Sequence, residues 1–389
     1  MSLQILALNL LLAAGSAASP VAQHAPATPT SHPQAENSAK QGDPDDLPLT
    51  PEERASEEAR ENSLRDHART LARRGDARSL LAATLIYPNP FPLKTNVYGT
   101  PVDAEARTWF DAARRSGQDD ATMAWIDANQ CTYFSKSCDK SAAVSHLLQL
   151  EPDNAAAHLL AASTAYENKD DVVGRAQIAL AAQASQYRTH YFDVLALLHS
   201  ALQDWSPPTI TEADLQRFAK SGEHVDTNLE DQRDAHAYAI AAAYVLPPMQ
   251  VPVKQCLPNA VPTPDKLLHE DCVRVFRLMA ADSETMLNQA IALSALSRLT
   301  FGDAEGAGWR EQFRQLRWVE NNYLALLLAQ HDKGMDSLDI DTILHDGEMA
   351  QMRSALRTHG IAVDPPAGWL PDSDHDRELI LYGRLPARK

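Results

Sequence analysis

Two short groups of carboxylates, each with a histidine, contain the residues best suited to chemistry. The first group comprises Asp339, Asp341, His345, Asp346 and Glu348, and the second comprises Asp372, Asp374, His375, Asp376 and Glu378. Oxygen-rich groups with a histidine can hold a divalent cation, but neither follows the ligand spacing of an EF-hand loop. Because the chain carries a net charge of −17, the sequence favours solvated surface for both groups. The metal candidates that remain open are Asp341, His345, Asp346, Glu348, Asp374, His375 and Asp376.

Other catalytic signatures are missing from the sequence. There is no G-x-S-x-G elbow, no Walker phosphate loop and no complete H-E-x-x-H motif: His269 begins one, but Val273 stands where the second histidine belongs. Gly302, Gly306 and Gly308 follow no strand pattern and indicate an interhelical turn rather than a phosphate cradle. The sequence therefore predicts no catalytic residue and no cofactor.

Three ring-bearing residues, Tyr187, His190 and Tyr191, cluster near the start of an expected helix. Such side chains can line a binding groove or pack between helices. Their position in the helical pattern favours packing.

Four cysteines form two couples that are local in sequence, Cys131 with Cys138 and Cys256 with Cys272. Four cysteines allow three pairings, and we favour the local one because each couple flanks an expected turn or loop. A zinc site is disfavoured, since neither spacing is C-x2-4-C, and free structural thiols are the third alternative. Disulfides imply an oxidising compartment.

The N-terminus predicts export. An apolar run from Ile5 to Ala14 precedes the small residues 15–19, which is typical of a signal peptide spanning 1–18 and cleaved after Ala17 or Ala18. Residues 1–4 contain no Lys or Arg, so a cytosolic protein with an apolar N-terminal tail is the alternative. Residues 19–49, rich in Pro, Ala and Ser, predict a disordered linker.

Charge and hydropathy restrict the partners. A net charge of −17 with a pI near 5.2 repels phosphate backbones, so we expect no nucleic-acid partner. After signal cleavage no segment approaches the 20 or so apolar residues of a transmembrane helix. The sequence predicts a periplasmic or secreted protein.

From residue 50 onward the sequence predicts an all-α protein. Thr50, Pro51 and Glu53 form a helix-start signature, and apolar residues then recur at helical spacing. Apolar clusters beginning at Leu80, Trp125, Leu159 and Val194 recur with a period of about 34 residues, as stacked helical hairpins do. We predict repeats over 50–205, a less regular helical region over 206–363 with a proline-rich loop around Cys256, and an irregular tail over 364–389.

One unit of this region resembles a tetratricopeptide (TPR) repeat. A Pro152-Asp153-Asn154 turn precedes Ala-rich helices, and small residues occupy the positions where two helices of such a unit cross. These small residues are Ala161, Ala162, Ala165, Gly174 and Ala181. His158 and Ala165 stand where the family has aromatic residues. The resemblance implies an α-solenoid fold.

These features favour a non-catalytic, exported helical-repeat protein that binds a protein or peptide through a concave surface of stacked hairpins. Its acidic charge favours a partner with a basic or apolar docking segment. The alternative is a helical metal-assisted hydrolase that uses one of the two acidic groups with histidine.

Overall fold

The computed structural model describes residues 50–87, 103–221, 228–245, 250–257, 266–281, 284–329 and 338–384. Within these ranges the protein has 17 helices and no strand longer than one isolated bridge. The prediction of an all-α fold is confirmed.

The first eight helices are α1 Pro51–Ala72, α2 Ala77–Ile86, α3 Ala104–Ser116, α4 Ala121–Phe134, α5 Lys140–Leu150, α6 Ala155–Glu167, α7 Asp171–Ala181 and α8 Tyr191–Leu202. The remaining nine are α9 Glu212–Ser221, α10 Leu229–Val245, α11 Gln250–Cys256, α12 Lys266–Ala281, α13 Met286–Leu299, α14 Gly306–Ala329, α15 Ile340–Asp346, α16 Glu348–Thr358 and α17 Asp374–Tyr382.

Most helices start at a side chain that caps their free backbone N–H groups. Thr50 forms the expected capping box with Glu53, since each side chain accepts a hydrogen bond from the backbone of the other. Short polar side chains cap nine more helices: Asp76, Asp103, Asp120, Asp139, Asn154, Asp170, Thr285, Asp339 and Ser373. The sequence therefore encodes most helix starts locally.

Consecutive helices pack as neighbouring pairs. In the middle of the first half, α4 packs on α5 and α6, and α6 packs on both α5 and α7. The small residues expected at the crossing of α6 and α7 are buried, and a Cβ atom on Gly174 would lie 2.6 Å from the Tyr166 ring. The two helix backbones approach closely there because Gly174 has no side chain.

Helices α8, α10 and α11 pack on three helices of these hairpins. Helix α8 packs on α2, α10 packs on α2 and α4, and α11 packs on α6. Trp125 Nε1 in α4 donates to the Val245 carbonyl in α10 at 3.0 Å, and the Gln130 amide donates to Tyr244 at 2.9 Å. All residues of α6 from Ala155 to Ala165 are buried. Among the described residues, the buried faces of α4 and α6 are thus covered by other helices of the chain.

Buried apolar residues form two clusters. The larger draws on α1 to α8 and α10 to α13, with two residues of α15. The smaller joins α13, α14, α16 and α17 around Phe313, Val319, Leu356 and Leu379. Helix α13 contributes to both clusters and connects the two parts of the core.

Both local cysteine pairs lie at disulfide distance. The Cα atoms of Cys131 and Cys138 are 5.4 Å apart, and those of Cys256 and Cys272 are 5.7 Å apart. The first pair joins the end of α4 to the turn before α5, and the second joins α11 to α12. The pairs at disulfide distance are the two local couples expected from the sequence.

Three helices differ from the prediction. Helix α11 lies in the region predicted as a proline-rich loop, and Pro252 is tolerated because it falls in the first turn, where no intrahelical N–H bond is lost. Helix α15 was not predicted. The tail is not wholly irregular: Ser373 caps α17, whose Leu379 and Ile380 are buried in the smaller cluster.

The predicted signal peptide over 1–18 and the linker over 19–49 lie outside the described residues. Among the helices that are described, none has the length and hydropathy needed to cross a bilayer.

Candidate functional site

A buried histidine with two carboxylates is the strongest polar site of the described chain. His190 is 1% exposed, and its two ring nitrogens face different acids. Nε2 lies 2.8 Å from Glu151 Oε2, and Nδ1 lies 2.9 Å from Asp193 Oδ2. The Trp125 ring packs beside the imidazole, with ring centroids 5.8 Å apart.

The helix ends at this site position its residues. Glu151 ends α5, and Asn154 caps α6 while its amide donates to Glu151 Oε2 at 2.9 Å. Asn154 also exchanges hydrogen bonds with the backbone of Arg188, 34 residues along the chain. His190 precedes α8 in the left-handed conformation, with φ of 59°. The TPR-like turn thus supplies one side of the site and the start of α8 supplies the other.

The carboxylates hold the imidazole in its charged form. Burial alone would lower the pKa of His190, but the hydrogen bonds to Asp193 and Glu151 outweigh burial and raise the pKa to about 9. Burial opposes ionisation of Glu151 and Asp193 as well, yet their hydrogen bonds to His190 leave the pKa of each carboxyl below its ordinary value. The Arg188 guanidinium adds a second cation at 2.6 Å from Asp193.

This geometry limits the chemistry of His190. An imidazolium with both N–H groups donated to carboxylates has no lone pair available, so it cannot accept a proton as a general base near neutral pH. Its ion pairs instead fix the start of α8 against the end of α5. We assign the cluster a structural role.

A neighbouring carboxylate extends this network. Glu284, just before α13, accepts hydrogen bonds from Thr189 N at 2.8 Å and from Thr189 Oγ1 at 2.7 Å. Burial raises the pKa of the Glu284 carboxyl. The starts of α8 and α13 are therefore held together by this contact.

The first acidic group is spread over different environments. Asp341 and His345 are exposed, and the His345 ring bonds to the adjacent Asp346 at 2.6 Å. Glu348 is buried and accepts hydrogen bonds from the Tyr238 hydroxyl and the Met286 backbone.

The second acidic group is similarly divided. Asp374 is exposed and pairs with Arg377, Asp376 pairs with Arg317 at 3.2 Å, and His375 is exposed. In the part of the chain that the structure describes, no three His, Cys, Asp or Glu side chains are placed to hold a metal ion. We therefore assign no metal ligand in either group.

The ring-bearing residues near α8 are buried, as the packing interpretation predicted. Tyr187, His190 and Tyr191 are each less than a tenth exposed. The ion-pair role of His190 was not predicted, because Glu151 lies 39 residues away in the sequence. The local signal was a polar turn, Glu151 to Asn154, directly before an apolar helix.

One described cleft lies on the outer surface between α1 and α3. It has a volume of about 250 Å³ and is lined by Arg69, Ala72, Arg73, Glu105 and Trp109. Arg69 is engaged by Glu105 through three hydrogen bonds of 2.9 to 3.1 Å. Arg69 and Glu105 therefore satisfy each other, Arg73 donates to the Thr70 hydroxyl at 2.7 Å, and we assign no ligand to the cleft.

No family profile, curated protein sequence or solved structure matches this chain.

Proposed function

We propose that this protein is a non-catalytic, extracytoplasmic helical-repeat protein that binds a protein or peptide through the outer surface of α7 and α12. The observation that carries the proposal is a set of exposed apolar side chains at one end of these two packed helices. The partner segment is apolar and carries basic residues, which complement the net charge of −17.

Export is supported by two sequence features and one structural feature. The apolar run at 5–14 and the small residues after it are those of a signal peptide. The two cysteine pairs at disulfide distance suit an oxidising compartment.

A TPR-like arrangement is supported by four consecutive helices, α4 to α7. Each of these helices packs on the helix that follows it in the chain. The small residues that resemble those of TPR units lie in the α6–α7 crossing. The likeness ends at α8, which packs on α2 and α10.

The apolar residues of α7 and α12 lie at the same end of the two helices. The Thr189–Glu284 hydrogen bonds join the segments that follow α7 and α12, so the C-terminal ends of both helices lie together. Helices α7 and α12 pack on each other, and we infer that they run in the same direction, with their first turns at the same end. Val172 is 80% exposed there and Leu267 is 73% exposed, with Val173 at 44%. Exposed apolar residues grouped in this way are typical of interaction sites.

Site-specific photocrosslinking in the native cell envelope tests this proposal. A photoreactive residue at Val172 or Leu267 is expected to capture one recurrent partner. The matched control is Leu215 in α9, an exposed apolar residue on a helix that packs on α1. A probe at Leu215 is expected to capture none.

A charge substitution then links the capture to binding. Val172→Glu is expected to weaken partner binding about tenfold or more, because it places a carboxylate in an apolar contact. Leu215→Glu is expected to leave binding unchanged. If all three probes give the same products, or if Val172→Glu binds as well as the unsubstituted protein, the proposed surface is wrong.

A further inference from the structure

A second buried polar cluster lies where the two apolar clusters meet. Its centre is Glu348, the first residue of α16, whose side chain is almost fully buried. Glu348 Oε1 accepts from the Tyr238 hydroxyl in α10 at 2.9 Å, and Oε2 accepts from the backbone N of Met286 in α13 at 2.7 Å. Tyr238 packs against the larger apolar cluster and Met286 belongs to the smaller one. One carboxyl group therefore connects the two parts of the core.

The surroundings of Glu348 disfavour a charge on it. Tyr191 from α8 and Tyr238 from α10 face the carboxyl, and Glu284 is a second acid nearby. Tyr323 from α14 interacts electrostatically with Tyr238. None of these groups is a cation. His190 and Asp193 interact electrostatically with Glu284, but they already form an ion pair with each other. Burial raises the pKa of Glu348, and the Glu284 charge raises it further.

The junction also contains an unsatisfied side chain. Asn288, in the first turn of α13, is buried, and neither its Oδ1 nor its Nδ2 has a hydrogen-bond partner among the described residues. Buried polar atoms without partners reduce local stability. The unsatisfied Asn288 amide therefore lowers the free-energy cost of opening the contact between the two parts of the core.

We propose that Glu348 is a proton-operated clasp that holds α14, α16 and α17 on α8 and α10 when it is protonated and loosens this attachment when it ionises. A protonated carboxyl can accept from the Met286 backbone and donate to a tyrosine hydroxyl, so both of its oxygens are satisfied. An ionised carboxylate keeps both accepted bonds but remains a buried charge beside Glu284, with no cation against it among the described residues. The clasp is independent of the proposed partner surface on α7 and α12.

The direction of the pH dependence follows from linkage. Because the folded pKa of Glu348 is raised above its unfolded value, the folded state binds the proton more tightly. Its contribution to stability is present at low pH and is lost as pH rises through the folded pKa. The attachment of the C-terminal helices is therefore expected to loosen as pH rises from the pKa of an exposed glutamate to the raised folded pKa of Glu348.

Hydrogen exchange of the full chain, with peptides from α16 followed between pH 5 and pH 8.5 and corrected for intrinsic exchange, tests the clasp. In the unsubstituted protein the opening constant of α16 is expected to rise by up to about tenfold per pH unit between the pKa of an exposed glutamate and the folded pKa of Glu348, and to level off above the folded pKa. Glu348→Gln mimics the protonated group, so its α16 opening constant should stay constant within about twofold. Glu58→Gln, an exposed Glu on α1, is the matched control and should behave as the unsubstituted protein does.

A second variant keeps the test decisive if Glu348→Gln does not fold. Tyr238→Phe removes a hydroxyl that lowers the pKa of Glu348, so the pH at which the α16 opening constant levels off should move higher. The proposal is overturned if α16 protection in the unsubstituted protein does not change with pH. It is also overturned if the Glu348→Gln and unsubstituted proteins change in parallel, or if Tyr238→Phe moves the transition to lower pH.

Discussion

His190 combines a strained backbone with strong side-chain pairing. A non-glycine residue at φ of 59° costs about 1 kcal/mol or more, and it persists only where its surroundings hold it in place. Here the surroundings are the Glu151 and Asp193 carboxylates, which fix the ring at both nitrogens. The ion pairs therefore offset the strain at the start of α8.

Removing this imidazole is expected to be costly. His190→Ala should lower the free energy of unfolding by about 3–5 kcal/mol, because it leaves the buried Glu151 carboxylate without its cation. Urea unfolding at pH 7 measures the change. The control is His345→Ala: that ring is 87% exposed, so its loss should change stability by less than about 0.5 kcal/mol. Equal effects from the two substitutions would contradict the pairing described here.

The same site predicts a pH dependence. The pKa of His190 is raised from 6.5 to about 9, so its contribution is complete below pH 6.5 and is lost as pH rises through 9. The difference corresponds to roughly 3 kcal/mol. We would measure the free energy of unfolding of the unsubstituted protein and of His190→Ala by urea unfolding between pH 6 and pH 10. The two plots of free energy against pH should converge as pH rises. Curves that stay parallel would show that His190 is not charged in the folded state.

At the scale of the helices, the sequence predicted what is encoded locally. The capping box at Thr50 and the apolar spacing gave most helices to within a few residues. The prediction from the sequence failed where short helices depend on tertiary burial. Helix α15 depends on burial of Ile340 and Ile343, and α17 depends on burial of Leu379. A helix of nine residues or fewer has too few turns to show a clear periodicity.

The α6–α7 crossing depends on the absence of a side chain at Gly174. Gly174→Ala should destabilise the protein by about 1 kcal/mol, since overpacking against the Tyr166 ring outweighs the helix propensity gained. In a Tyr166→Ala background the same substitution should instead stabilise it by about 0.5–1 kcal/mol. Thermal unfolding of the four proteins in this double-mutant cycle measures both effects. If Gly174→Ala has the same effect in both backgrounds, the close approach is not what requires glycine.

At the scale of the whole molecule, the sequence could not predict how the two halves combine. The period near 34 residues predicted hairpins, but Trp125 bonds to Val245, 120 residues away. No local pattern encodes such a contact. The buried network around His190 was missed for the same reason, because its members come from the ends of different helices. The buried faces of α4 and α6 are consequently part of one core with α10 and α11.

The most direct test of this account is the folding of residues 50–205 alone, compared with the full chain by near-UV circular dichroism and thermal unfolding. The fragment lacks α10 and α11, which cover α4 and α6. We expect it to retain helical content but to lose fixed aromatic signals and cooperative unfolding, because the α4 and α6 inner faces become exposed. A fragment that unfolds cooperatively at nearly the temperature of the full chain would contradict the account and restore an open solenoid.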